Sequence, residues 1–194
     1  MARAQRADAC RNHDRLLEVA SDAFATWGVE ASLEKIAKSA DVGIGTLYRH
    51  FPTRDALVEA VYRHNVELLC EGADELRASM PPDEALAEWM QRFVSYVPSK
   101  KGLATYLKSI VSTDSDLFQS THARVQQTIH SLVEAAAAAG TIRPSVDGMD
   151  LLRALSGVCM MAGQPDGAPQ AARVATLLMD GLRYGAPTSA AASA

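Results

Sequence analysis

The sequence predicts an all-α protein of about nine helices. Apolar residues recur every three or four positions through most of the 194-residue chain, which is the spacing of one helix face. No stretch shows the sustained alternation of apolar and polar residues that indicates a β-strand. Glycine and proline separate the periodic segments, for example at Gly28, Pro52 and Gly140, where they favour the end of a helix.

The first helix is predicted to run from about Asp8 to Trp27 and to end at Gly28. Glycine is favoured at that position because it adopts the left-handed backbone that closes many helices. The residues that we expect on its inner face share one helical stripe and are Leu16, Leu17, Ala20, Phe24 and Trp27.

A short helix, a tight turn and a second short helix are predicted between Ser32 and Phe51, in SLEKIAKSADVGIGTLYRHF. Ser32 is placed to cap the first of these helices, and the stretch 40–43 breaks the helical pattern. Leu47 and Phe51 lie one turn apart and are expected to point inward. The opposite face then carries small residues and hydrogen-bonding side chains, as a helix needs in order to enter the major groove of DNA.

Position assigns a role to several residues of this helix-turn-helix. The hydroxyl of Ser32 can bind a phosphate, Arg49 can pair with guanine, and Arg54 is expected to contact phosphate. The small residues permit close approach of the backbone. The complete candidate set for DNA binding is Ser32, Gly43, Gly45, Thr46, Tyr48, Arg49, His50 and Arg54.

The remainder of the chain is predicted to form six more helices, at about 53–79, 82–97, 100–111, 113–139, 148–163 and 170–184. We expect three regions: a helix-turn-helix DNA-binding domain at 1–52, a helical regulatory and dimerisation domain at 53–185, and a disordered tail at 186–194. The tail is low in sequence complexity, which is typical of disorder.

Composition argues against several classes of protein. No apolar run reaches the roughly 18 residues that span a bilayer, and the N-terminus lacks the apolar core of a signal peptide. Cys10, Cys70 and Cys159 are odd in number and far apart, which disfavours a disulfide framework or a CxxC metal site. We therefore expect a cytoplasmic protein with reduced thiols, no metal and no cofactor.

The net charge of −4 is unusual for a nucleic-acid-binding protein until it is divided along the chain. Residues 1–54 hold eight Lys or Arg and seven Asp or Glu, a net of +1. The other 140 residues hold eleven Lys or Arg and sixteen Asp or Glu, a net of −5. The positive part therefore coincides with the helix-turn-helix, as DNA binding requires.

The segment SLEKIAKSADVGIGTLYRHFPTRDALVEAV resembles the DNA-binding signature of the TetR family of bacterial repressors. Upstream, the resemblance continues through Arg15–Ala20, Ala23–Phe24 and Gly28, so that it covers about the first 65 residues. Gly43 stands where serine is common in the family, and Arg54 where lysine is common. In the C-terminal half, GLATYLKSIV, AAAAAGTIRPSVDGMDLLRALSGV and LLMDGLR resemble the SbtR-like subgroup.

This resemblance implies a three-helix DNA-binding domain followed by a helical ligand-binding and dimerisation domain. It also implies a ligand-responsive regulator, most often a repressor, that binds a near-palindromic operator on double-stranded DNA as a homodimer. A small-molecule effector would release it from that operator. Tyr48 matches the tyrosine with which the family usually contacts phosphate and base.

Apolar residues cover most of the last two predicted helices. A domain of this size has limited core for both helices, so part of their surface is expected to meet a second copy in a four-helix interface, as the resemblance also implies. The alternative is that both helices are simply core. The candidate interface residues are Leu152, Leu155, Cys159, Val174, Leu178 and Leu182.

The resemblance further implies a ligand cavity in the C-terminal domain. Aromatic and methionine side chains at helical spacing are candidates to line it, although such residues form core more often than a pocket. Polar members of the set favour a pocket, because a core would have to satisfy them. The candidates are Tyr62, Trp89, Phe93, Tyr96, Tyr106, Phe118, His122, Gln126, Met149 and Met161.

The alternatives to a ligand-responsive repressor are an enzyme, a helical interaction module and a transcriptional activator. An enzyme is disfavoured because no GxSxG, HExxH, P-loop or GxGxxG motif occurs, and Asp114 and Asp116 fit a helix cap. A helical interaction module without DNA binding is a second alternative. An activator would bind the same DNA, so the sequence leaves repression and activation open.

Overall fold

The computed structural model of the chain describes residues 2–99, 101–110, 115–162 and 167–185. Over these residues it contains nine α-helices and no β-strand, which confirms the predicted fold class. The predicted tail at 186–194 lies outside the described residues, as do the side chains of Tyr96 and Met161. The helices are α1 Ala2–Trp27, α2 Leu33–Ser39, α3 Ile44–His50, α4 Arg54–Ser79, α5 Pro82–Ser99, α6 Lys101–Ile110, α7 Asp116–Ala138, α8 Gly148–Ala162 and α9 Gly167–Arg183.

The helix ends follow local chemistry. Gly28 and Gly140 have φ of 76° and 69°, so both adopt the left-handed conformation predicted for a glycine that closes a helix. At the start of α4, the hydroxyl of Thr53 accepts a hydrogen bond from the Ala56 amide at 3.1 Å, so Thr53 caps this helix.

Two helices begin earlier than the sequence predicts. α1 begins at Ala2 instead of about Asp8, because alanine, arginine and glutamine all favour a helix and no breaker lies among them. α9 begins at Gly167 instead of Gln170. Pro169 falls in its first turn, where the amide that proline lacks would have no partner within the helix.

The described residues divide into two compact units. Those within Met1–Asn65 and Lys100–Phe118 form the N-terminal unit, and those within Val66–Ser99 and Gln119–Ala194 form the C-terminal unit. The predicted end of the DNA-binding domain at residue 52 stays a prediction. Leu57, Val58 and Val61 of α4 are buried in the core of the N-terminal unit, so the first turns of this helix pack with that unit.

The core of the N-terminal unit joins α1, α2 and α3 to the start of α4, to α6 and to the start of α7. Leu16, Leu17, Ala20 and Phe24 are buried as predicted. Trp27 was expected beside them, and this prediction is wrong, since 70% of its surface is exposed. It stands in the last turn of α1, where the chain turns away at Gly28 and leaves its ring beside an open groove between α1 and α2.

In the C-terminal unit, α5, α8 and α9 pack against one another and share a core with parts of α4 and α7. The buried residues of this core are mainly Leu, Ala, Val and Ile around Trp89. Across the described part of the chain, no helix is both long and apolar enough to cross a membrane.

The turn between α2 and α3 contains a strained residue. Asp41 has φ of 57° and is, among the described residues, the only one other than glycine with a positive φ. The Val42 amide donates to the Ala37 carbonyl at 3.0 Å, so the turn closes α2 with a Schellman-type hydrogen bond. Aspartate tolerates this conformation better than most residues, but glycine adopts it without steric cost.

We expect Asp41→Gly to raise the free energy of unfolding by about 0.5–1 kcal/mol, and Asp41→Val to lower it by about 1–2 kcal/mol. The physical reason is the Cβ of residue 41, which glycine lacks and which valine makes bulkier. Chemical denaturation of the three proteins under one condition measures both values. A glycine variant less stable than the parent would show that the aspartate side chain holds the turn.

Candidate DNA-binding interface

The start of α2 is fixed by Ser32, which takes an extended backbone conformation and accepts a hydrogen bond from the Lys35 amide at 3.3 Å. This geometry confirms the predicted cap. The Ser32 hydroxyl also donates to the Glu34 carboxylate at 2.8 Å, and that bond is the main cause that lowers the pKa of Glu34. A phosphate bound at Ser32 would have to displace this carboxylate, so the role of Ser32 in DNA binding stays a prediction.

The inner face of α3 is set by two buried residues. Leu47 is fully buried and Phe51 is 4% exposed, and both belong to the core of the N-terminal unit. Their placement confirms that neither presents its side chain to an outside partner. Leu47 and Phe51 lie one turn apart on the same face of the helix. The residues between and opposite them must therefore point away from the core.

The outer face of α3 presents the predicted pattern. Gly43, Gly45, Tyr48 and Arg49 are exposed, and 46% of the Tyr48 surface is accessible. Thr46 is half-buried. The face therefore begins with two residues that have no side chain and continues with a phenol and a guanidinium, which can donate hydrogen bonds to base edges or phosphates.

The two glycines are not required by the packing of the chain itself. A Cβ built on Gly43 or on Gly45 meets nothing within 4 Å, and neither residue has a positive φ. Glycine weakens a helix relative to alanine by about 0.5–1 kcal/mol. Gly45 lies inside the seven-residue α3 and is thus a cost to folding, which close approach of an external surface would explain. Gly43 is the N-cap of the helix, where glycine is well tolerated.

His50, the last residue of α3, is half-buried against α1. Its ring centroid lies 5.7 Å from that of His13 and 6.1 Å from that of Phe51, so one side of the ring packs on the protein. We predicted His50 as a DNA contact, and this packing restricts the part of the ring that could serve. That contact stays a prediction.

Arg54 joins the start of α4 to the loop that precedes α2. Its Nη1 donates to the Val29 carbonyl at 2.6 Å and to the Ala31 carbonyl at 2.7 Å. Hydrogen bonds from a charged donor are the strong ones, so this residue fixes the loop that leads into Ser32. The predicted contact between Arg54 and phosphate could use only the remaining guanidinium N–H groups and stays a prediction.

The residues predicted to bind a ligand are divided between the two units. In the N-terminal unit, Phe118 is buried and stacks on Tyr62, and the Tyr106 hydroxyl donates to Asp55 at 2.7 Å, which raises the Tyr106 pKa. The predicted ligand-binding residues that lie in the C-terminal unit and have described side chains are Trp89, Phe93, His122, Gln126 and Met149.

Trp89 and Phe93 form part of the C-terminal core. Trp89 is fully buried, its indole N–H donates to the Leu69 carbonyl at 3.1 Å, and its rings lie 5.3 Å from Phe93. Their packing matches the alternative that such residues form core. His122 and Gln126 lie on the surface of α7. A role of these residues in ligand binding stays a prediction.

The predicted interface residues fall into two sets. Leu155, Cys159 and Leu182 are buried in the core of their own chain, and burial raises the pKa of the Cys159 thiol to about 11. These three leave almost no surface for a second copy. Leu152, Val174 and Leu178 are half-buried at the edge of that core.

Three exposed apolar residues adjoin this edge, and the sequence did not predict them as interface residues. Met160 of α8 and Leu177 of α9 are 69% and 68% exposed, and Tyr184, just past α9, is 85% exposed. Met160 lies two helical turns after Leu152, and Leu177 one turn after Val174, so each pair shares a face. We call these five residues, Leu152, Met160, Val174, Leu177 and Tyr184, the α8–α9 surface.

A polar cavity in the C-terminal unit was not predicted from the sequence. It lies between α4 and α7 and is lined by Cys70, Ala73, Asp74, Arg77, Arg124, Gln127, Thr128 and Ser131. The signal that could have found it is a stripe of polar residues at helical spacing on each of two long helices, where apolar residues would ordinarily pack.

Two short helices joined by a tight turn, with one buried face and one exposed polar face, define the class of helix-turn-helix DNA-binding proteins. Family comparisons identify the class more closely. Residues 16–61 match the model for bacterial regulatory proteins of the tetR family. Residues 81–184, more than half of the chain, match the C-terminal domain of SbtR-like transcriptional regulators. The chain therefore belongs to the TetR family of DNA-binding transcriptional regulators, which are not enzymes.

Solved structures agree over nearly the whole chain. A TetR transcriptional regulator from Streptomyces coelicolor is 42% identical, with a TM-score of 0.80 over 88% of this chain and 98% of that one. A TetR regulatory protein from Mycobacterium vanbaalenii is 36% identical, with a TM-score of 0.77 over 92% of this chain and 99% of that one.

A helix-turn-helix regulator from Staphylococcus aureus is 39% identical over 64 residues. That alignment spans 32% of this chain and 35% of the curated relative. The likeness to that protein is therefore restricted to about one third of either chain, whereas the two solved structures extend through both units.

We expect Arg54→Ala to lower the free energy of unfolding by about 2–3 kcal/mol, because two carbonyls lose a charged donor. Arg49→Ala is the matched control, since Arg49 is exposed on α3, and it should change stability by less than about 0.5 kcal/mol. Urea denaturation measures both. Equal stability of the two variants would contradict a structural role for the Arg54 hydrogen bonds.

Proposed function

We propose that this protein is a cytoplasmic transcriptional repressor that binds a near-palindromic operator as a homodimer and leaves it when a small molecule binds. The observation that carries the proposal is the outer face of α3, where Gly45 leaves space for a closely approaching partner and Tyr48 and Arg49 can donate hydrogen bonds. Phosphate contacts would position this helix, and contacts with base edges would select the sequence.

Dimerisation is supported by the α8–α9 surface. Two neighbouring helices expose large apolar side chains, and contiguous exposed apolar surface marks interaction sites. Two copies of the pair would bury each other in a four-helix interface with two-fold symmetry. A two-fold dimer would present its two recognition helices to half-sites about 34–36 Å apart, or a related spacing.

Response to a ligand is supported by the path of α4. This helix runs without interruption from Arg54 to Ser79, so that its first half belongs to the N-terminal unit and its second half to the C-terminal unit. A ligand that favours one position of its second half would shift the population of the whole helix. The change in operator affinity could not exceed the factor by which the ligand prefers one state over the other.

Selection of binding sites from random DNA duplexes by the purified protein tests the proposal. We expect a near-palindromic sequence to be enriched. Tyr48→Ala and Gly45→Ala should each weaken binding to that sequence about tenfold or more, by loss of a contact and by steric exclusion.

Gly45→Ala is the sharper of these two variants, because its effects on folding and on binding differ in sign. A Cβ at this position meets no atom of the protein, so helix stability should rise slightly while DNA affinity falls. Glu134→Ala, on α7 in the C-terminal unit with 68% of the side chain exposed, is the control that should leave affinity unchanged. Enrichment of no sequence, or full affinity in both α3 variants, would contradict the proposal.

We expect Leu177→Asp to convert the dimer to a monomer, since a buried unpaired carboxylate would replace an apolar contact. Leu68→Asp is matched to it, because Leu68 is also a surface leucine, 50% exposed on α4. Analytical ultracentrifugation of both variants gives the masses. A parent protein that sediments as a monomer, or dimers of both variants, would exclude the α8–α9 surface as the interface.

A further inference from the structure

The facing sides of α4 and α7 in the C-terminal unit carry polar residues in register with the helices. The residues that face each other are Cys70, Ala73, Asp74 and Arg77 on α4, and Arg124, Gln127, Thr128 and Ser131 on α7. Each set follows the spacing i, i+3, i+4, i+7, which is one face of a helix. Facing stripes of packed helices are ordinarily apolar, but here only Cys70 and Ala73 lack a strongly polar group.

The stripes do not close on each other but leave a cavity of about 220 Å³. Its inner end is apolar and closed, because Ala73 is 2% and Cys70 5% exposed. Its outer end is polar and open, because the side chains of Arg77 and Arg124 are 44% and 51% exposed. A guanidinium from each helix therefore stands at the mouth of a small pocket.

Neither guanidinium is tightly paired with a carboxylate. The closest contacts are 3.7 Å from Arg77 to Asp74 and 3.8 Å from Arg124 to Glu71, which exceed the usual hydrogen-bond distance. By contrast, Arg183 in the same unit holds Asp83 with two bonds of 2.6 and 2.9 Å. Arg77 does bond to the Ser131 hydroxyl at 2.7 Å, which links the two helices and leaves other N–H groups of its fork.

The inner end of the cavity would not repel an anion. Burial raises the pKa of the Cys70 thiol, so this group is neutral at physiological pH. The two arginines are balanced by Asp74 in the lining and by Glu71 beside Arg124, so a carboxylate would bind by replacing these long contacts with shorter hydrogen bonds. A ligand with an apolar body and one negative end would match the polarity from the closed end to the mouth.

We propose that this cavity binds a small carboxylic acid, with Arg77 and Arg124 donating to its carboxylate and Cys70 and Ala73 contacting its apolar body. The volume is below the 300–1,000 Å³ typical of drug-sized ligands, which restricts the occupant to a small molecule. Arginine suits this task, because its planar fork matches the two oxygens of a carboxylate.

The acid would be the effector of the regulator, an assignment that rests on the proposed function. Its carboxylate would connect α4 to α7, and α4 is the helix that continues into the N-terminal unit. Binding would therefore favour one position of α4, and by linkage it would change operator affinity by the same factor by which operator DNA changes affinity for the acid.

Ligand-observed NMR with the purified full chain and no DNA tests the site. The probes are acetate, butyrate, succinate and benzoate, each compared with its amide: acetamide, butyramide, succinamide and benzamide. We expect at least one acid to bind while its uncharged amide does not. Arg77→Gln and Arg124→Gln should each weaken that binding by about tenfold or more, as expected for loss of a charged hydrogen bond.

Arg153→Gln is the matched control, because Arg153 lies on α8 with 70% of its side chain exposed and is not among the lining residues. Thermal melting of each variant shows whether it is folded. If Arg77→Gln does not fold, Arg124→Gln and Thr128→Val still test the cavity. The proposal is overturned if no acid binds more tightly than its amide, or if the lining variants bind as the parent does.

Because this assay contains no DNA, its result is independent of the operator experiment. Acid binding without any enriched operator would uphold the site and refute the proposed function. An enriched operator with no acid binding would do the reverse. If both are found, an operator affinity that the acid leaves unchanged would overturn its assignment as effector.

Discussion

The burial of Leu47 determines what the N-terminal unit can do. α3 has seven residues, and a helix of that length is not stable in water by itself. It forms because Leu47 is completely removed from solvent in a core built from α1, α2 and the start of α4. The same burial fixes the rotation of the helix, so that Tyr48 and Arg49 point outward. The surface available to DNA is thus a consequence of the apolar face.

Arg54 supports the N-terminal unit from a position where we also propose a DNA contact. The residue stands where an arginine or lysine is expected to contact phosphate, yet its Nη1 is occupied by the carbonyls of Val29 and Ala31. The planar fork allows both roles, because a guanidinium has five N–H groups and directs them differently. Lysine carries a single ammonium group that would have to share its donors, so the two residues are not equivalent at this position.

Much of the N-terminal unit could be predicted from the sequence, because its determinants are local. The glycine that ends α1, the cap at Ser32 and the inward Leu47 each follow from residues within one or two turns. Trp27 could not be placed, because helical spacing assigns it to the inner stripe while its exposure depends on where the chain turns away at Gly28. Likewise, Leu155 and Leu177 are both apolar residues of amphipathic helices, and only packing decides that one is core and the other surface.

The cavity between α4 and α7 belongs to a different kind of problem. Its two arginines are separated by 47 positions in the chain, and each lies on a helix that also carries core residues, so no contiguous motif exists. A DNA-binding helix must fit a partner whose shape and charge are common to all operators, and its sequence therefore follows a recognisable pattern. A pocket for a small molecule must fit one ligand among many, and side chains from separate helices can produce it in numerous ways. Polar stripes that face each other between long helices are the feature to look for, because apolar side chains at these positions would have been more favourable for folding alone.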